Sequence, residues 1–83
     1  MTLPTIHSNG TGKNTLEHDY MNARARIMDA LRAFEAIEFN ARDYYPQGPN
    51  AFTAAREERA VMARKLVDVR EYLTAHTDHI SDA

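Results

Sequence analysis

Between Asn40 and Asn50 the chain reads NARDYYPQGPN, and the two prolines and one glycine there stop any helix that reaches them. Proline lacks a backbone donor and its ring clashes with the preceding turn, so this segment is a connection. The patterns on either side then decide the fold. Upstream, Leu16, Tyr20, Ala23, Ile27, Ala30, Phe34 and Ile37 recur at alternating spacings of four and three, which places them on one stripe of an α-helix. Met21, Met28 and Leu31 widen that stripe, and Arg24, Arg26, Asp29, Arg32, Glu35 and Glu38 take the remaining surface, with Asp29 and Arg32 spaced for an ion pair. Downstream, Phe52, Ala55, Met62, Leu66, Val69 and Leu73 share a face with Val61 and Tyr72 beside it, and Arg64 and Asp68 form a second pair outside. No strand pattern competes.

The expected fold is therefore all-α: an irregular arm over 1–14, then an antiparallel two-helix hairpin over 15–83 with helices at about 15–40 and 50–75. Pro49 suits a first helical position and Asn50 is the competing N-cap. At 1.5 Å per residue, helices of about 25 residues give a hairpin nearly 40 Å long. Each helix offers its partner only one narrow seam, so apolar stripes this wide call for an oligomeric helical bundle. Size agrees: a chain of 83 residues buries only about 60% of its unfolded surface. With no cysteine, neither disulfides nor a Cys-based zinc site supplements the core.

The same composition restricts function. A net charge of −2 with both signs interspersed lacks the basic footprint of a nucleic-acid binder. No basic leader precedes an apolar run, and no segment reaches the roughly 20 apolar residues of a bilayer span. We therefore expect no membrane association and a cytoplasmic location.

Two stretches carry candidate chemistry. HSNGTGKNTLE, from His7 to Glu17, resembles a phosphate-binding glycine loop, but His7 stands where the first glycine belongs and Asn14 replaces the Ser or Thr after Gly12-Lys13. A nucleotidase loop is thereby rejected. A helix start remains, with Asn14 as cap and Glu17 reaching back to it. Free N–H groups there, with Lys13 beside them, favour an anion. In the turn, Arg42, Asp43, Tyr44, Tyr45, Pro46 and Gln47 combine cationic, aromatic and amide groups suited to a base and a phosphate. Two adjacent tyrosines do not readily both point inward, so one is expected to close the hairpin. His76, Asp78 and His79, with His18 and Asp19, have no second shell and read as a polar, frayed tail in place of a metal site. Ser8 and Ser81 lie in terminal segments with no positioned base, so neither catalysis nor a cofactor is expected.

PTIHSNGTGKNTL (Pro4–Leu16) and NARDYYPQGPNAF (Asn40–Phe52) resemble the opening and the turn of a group of small phage and prophage proteins that begin Ile-His-x-Asn-Gly-Thr. The matching positions are Ile6, His7, Asn9, Gly10 and Thr11 in the arm, and Arg42 to Gly48 in the turn. Gly12 departs from the serine more usual there. The resemblance implies phage association, and small phage proteins of this class include sponges for nucleotide immune signals, inhibitors of host defence proteins and minor virion parts. The reading that follows is a non-enzymatic homo-oligomer binding a nucleotide-type anion through His7, Asn9, Gly10, Thr11, Lys13, Arg42, Tyr44, Tyr45 and Gln47. The alternatives are an inhibitor that grips a host defence protein, and a minor virion component. Arm and turn sit at opposite ends of one hairpin, so they meet only between chains or if the arm folds back.

Overall fold

The computed structural model describes residues 1–7 and 10–83, and among them all regular structure is helical. Helix α1 spans Lys13–Glu35 and helix α2 spans Ala51–Ser81. Two single turns of 3-10 helix, Ala41–Asp43 and Tyr45–Gln47, form the connection. The two long helices pack antiparallel along a rod measuring 61 × 21 × 17 Å. No described helix is long and apolar enough to cross a membrane.

Both helix boundaries depart from the sequence expectation. Helix α1 starts after Gly12, which has φ −59° and ψ 146° and, having no side chain, gives no side-chain cap. Asn14 and Glu17 therefore lie inside the first turns, and the expected capping box does not form. The helix stops at Glu35, short of Asn40, because Phe39 leaves the helical path to stack on Phe52 at 5.0 Å. Helix α2 begins after Asn50, which also gives no side-chain hydrogen bond, so Pro49 lies just outside instead of at the first position. It then runs six residues beyond Ala75, through the segment expected to fray.

Arg59 explains where α1 ends. Its guanidinium donates to the carbonyls of Glu35 (3.0 Å), Ile37 (3.3 Å) and Phe34 (3.4 Å), at a helix C-terminus where carbonyl oxygens lack the donors of a following turn. The same cation sits 4.8 Å from the Phe39 ring centre and 5.7 Å from that of Phe34. One side chain of α2 thus caps α1 and binds the aromatic cluster of Phe34, Phe39, Tyr44 and Phe52. A fixed, planar fork of donors is what this position requires.

At the opposite end the core is deepest. Ile80 is 0% and His76 1% exposed, whereas in α1 only Leu31 (7%) counts as buried. The His76 ring lies between Tyr20, stacked at 4.8 Å, and Tyr72 at 4.2 Å, and its Nδ1 donates to the Tyr72 carbonyl at 2.9 Å. Along α2 the packing stripe runs Phe52, Ala55, Arg59, Ala63, Leu66, Arg70, Leu73, Thr77 and Ile80, continuing the three-and-four spacing past Ala75. Met62 and Val69, expected on the core face, lie on its flank, and Ala30 and Ile37 of the expected α1 stripe are exposed. The expected pairs do form: Arg64 Nε meets Asp68 at 2.9 Å and Arg32 meets Asp29 at 3.5 Å.

Replacing Arg59 with alanine should cost about 1–3 kcal/mol, from the lost charge-assisted hydrogen bonds and ring contacts. Arg59→Lys should recover only part of this, as read by urea unfolding followed by circular dichroism. Gly48 has φ +118° and ψ 171°, a conformation that L side chains rarely adopt, although nothing would touch an added Cβ. Gly48→Ala should therefore lose about 1–3 kcal/mol through backbone strain alone. The contrasting control is Gly12→Ser, at ordinary φ, which should stabilise by a few tenths of a kcal/mol by supplying the missing cap.

Candidate functional site

The residues singled out by sequence fall into two groups at opposite ends of the rod. At the arm end, Pro4 and Ile6 are half-buried and the Pro4 carbonyl accepts a hydrogen bond from His79 Nε2 at 2.8 Å. The arm thus returns to the last turns of α2 and stays at that end. Lys13 Nζ donates to the main-chain oxygens of Ala83 (2.7 Å) and Ser81 (3.4 Å), tying the start of α1 to the end of α2. Gly10 N–H donates to the His7 carbonyl at 3.2 Å, and the His7 imidazole lies so close over Gly10 that an added Cβ would meet Nε2 at 2.9 Å. His7, Gly10 and Thr11 are exposed. Asn9 and Ser8 lie outside the described residues.

The first turn of α1 has no side-chain cap and no acidic residue. Its leading N–H groups consequently present their partial positive charge with no acidic side chain in that turn to neutralise it. Glu17 is too far along the helix to reach back, so the local field favours negative charge more than the sequence pattern implied.

At the turn end the two tyrosines divide their roles. Tyr44 is half-buried, with its ring 5.6 Å from Phe39 in an edge-on contact and 6.1 Å from Phe52, so its faces serve the hydrophobic cluster. Tyr45 is 69% exposed. Arg42 and Gln47 are exposed as well, and none of their side-chain groups takes part in a hydrogen bond among the described residues. Arg42, Tyr45 and Gln47 therefore form a free cationic, aromatic and amide set. Tyr44 closes the hairpin.

Helix α1 separates these groups by about 34 Å, at 1.5 Å per residue over its 23 residues. Within one chain no single ligand spans them. Two open grooves lie on the hairpin instead. One, of about 410 Å³, is bordered by Ala54, Glu57, Glu58, Val61 and Met62. The other, of about 280 Å³, lies under the aromatic cluster and is edged by Glu38 and Glu58. The first groove has carboxylates and no cation on its rim, which disfavours an anion, and in the second Arg59 lies beside Glu38 and Glu58.

Compared with known protein families, curated proteins and solved structures, the chain matches none.

Three features lie beyond the sequence reading. Arg59 is not singled out there, although its phase with Phe52, Ala55 and Leu66 marks the packing face. The sequence pattern reads His76 and His79 as part of a polar tail, whereas His76 is buried and His79 holds the arm. The spacing from Leu73 to Ile80 carried that information. Finally, Met62 and Val69, expected on the core face, are as exposed as Val61 and Tyr72, expected beside it, and all four are 42% to 54% exposed. An exposed apolar flank and a core face have the same composition, so only the packing distinguishes them.

The arm's attachment is directly testable. Replacing His79 with alanine should raise amide exchange in residues 3–7 about fivefold, the effect of one lost hydrogen bond, and leave the middle of α2 unchanged.

Proposed function

We propose that this protein acts by binding and not by catalysis, as an assembly of hairpins that holds a small anionic molecule of nucleotide type without turning it over. Its resemblance to small phage proteins makes the host cytoplasm the expected setting and sequestration of a nucleotide-derived immune signal the expected role. The observation that carries this reading is the division of groups between the two ends. The turn exposes Arg42, Tyr45 and Gln47, while the arm end offers an uncapped helix start beside Gly10, Thr11 and Lys13. Arginine grips phosphate through its planar fork and tyrosine stacks on a base, whereas helix-start N–H groups accept anionic oxygens. Each end has part of a nucleotide site. Copies that join arm to turn would have the whole.

Tyr44 drops out of the proposed stacking role because Phe39 and Phe52 already occupy its neighbourhood. Lys13 contributes charge from a fixed place, since main-chain oxygens hold its ammonium. A second reading, an inhibitor of a host defence protein, draws support from the exposed apolar flank of α2 and the acidic groove beside Val61 and Met62. Such a surface fits a partner helix with apolar and basic residues.

Titration calorimetry with cyclic dinucleotides and ADP-ribose derivatives separates the two readings. The ligand reading expects saturable heat from at least one of these, weakened about tenfold or more by Arg42→Ala or Tyr45→Ala, which remove a charge-assisted or stacking contact. Absence of heat across the panel, with the protein folded by circular dichroism, overturns it and leaves the protein-binding reading.

A further inference from the structure

Four of the large apolar side chains that α2 leaves exposed, Val61, Met62, Val69 and Tyr72, lie on one flank of the helix. With Ala51, Ala54, Glu58 and Lys65 they form a continuous stripe at three-and-four spacing, beside the face that packs on α1. From Ala51 to Tyr72 this stripe runs about 30 Å at 1.5 Å per residue. Met62 and Ala54 also border the larger groove.

The stripe's charges and sizes are arranged about its centre. Glu58 lies on one side of the Val61–Met62 midpoint and Lys65 lies equally far on the other. Ala54 is matched in the same way by Val69, and Ala51 by Tyr72. We infer that two copies of this chain pair through this flank, α2 against α2, antiparallel about a two-fold axis between Val61 and Met62. In that register Glu58 faces Lys65 of the partner subunit twice over. Small Ala54 and Ala51 receive the partner's Val69 and the partner's Tyr72. Each Glu58 then faces a cation across the seam and each Lys65 faces an anion. A parallel, in-register pair would instead set Glu58 against its own copy and Lys65 against its own copy, which like-charge repulsion disfavours. Charge therefore selects a second copy and fixes its direction.

This inference rests on the assembly part of the proposed function and needs no ligand. It also supplies what that reading lacks. The register continues past Tyr72 toward His76 and His79 of the partner subunit, the level at which the partner's arm is seated. The Tyr44–Gln47 turn of one protomer thereby comes to the arm end of the other, and a site that is incomplete in one chain gains its second half.

Sedimentation velocity and charge exchange test the pairing directly. Glu58→Lys and Lys65→Glu, both at exposed positions, should each weaken the dimer about tenfold by turning two attractive pairs repulsive. Their combination restores the pairing with signs exchanged and should return self-association to within about twofold of the natural chain. Since the sequence has no cysteine, Met62→Cys should be joined by a short bis-maleimide. Ala54→Cys should not, because its copy lies about 22 Å away along the antiparallel helix. Helicity by circular dichroism verifies that each variant is folded. A monomer at micromolar concentration overturns the pairing and the assembly together. A dimer in which the double variant stays weak, or in which Ala54→Cys links as readily as Met62→Cys, overturns this pairing and leaves assembly by another face. Neither result depends on the calorimetry, so failure of the interface and failure of the ligand reading are told apart.

Discussion

Two helices in contact share one seam, and nearly everything else in this structure follows from how little a single seam can cover. Along the middle of the hairpin the side chains are at most half-buried, with Leu31 the exception. Burial of that extent contributes only a few tens of cal/mol per Å² of apolar surface, set against the entropy of ordering two long helices. The ends must therefore be closed by other means, and each end uses a different one.

At the turn, the closure is electrostatic and aromatic. Arg59 brings a cation to a helix C-terminus, where carbonyl oxygens have no intrahelical donors, and lays it against Phe39 and Phe34. The ring cluster then fixes Tyr44 and leaves Tyr45 outside. Packing and surface chemistry are coupled here: because one tyrosine completes the cluster, its neighbour stays exposed. At the other end the closure is a returning strand of chain. The arm joins α2 through Pro4 and His79, Lys13 ties the helix ends, and His76 and Ile80 become the most buried side chains described. Stability and exposure of chemistry are thus set by the same contacts.

The flank of α2 is where the single-seam limit leaves something unsatisfied. A helix of 31 residues has room for two apolar stripes, and α1 together with the arm covers only one. The second stripe is alanine-rich at one end and bulky at the other, with opposite charges between. That arrangement is what the proposed antiparallel pairing of two copies rests on.

Much of this was legible in advance, and the misses share a cause. The Pro-Gly segment fixed the connection, and the three-and-four periodicity fixed two helices and the Asp29–Arg32 and Arg64–Asp68 pairs, because local sterics and helix geometry act within a few residues. Periodicity does not say which of two adjacent stripes faces the partner: Met62 and Val69 are as apolar as Leu66. Nor does it show that Arg59 meets carbonyls 22 to 25 positions away or that His79 meets Pro4 75 positions away. The sequence by itself determined a helical hairpin with its turn at Asn40–Asn50. Only the tertiary structure decided where the helices end, which flank stays bare, which tyrosine is free and where the arm lies. Those outcomes depend on contacts between residues distant in the chain, and local preferences do not encode them.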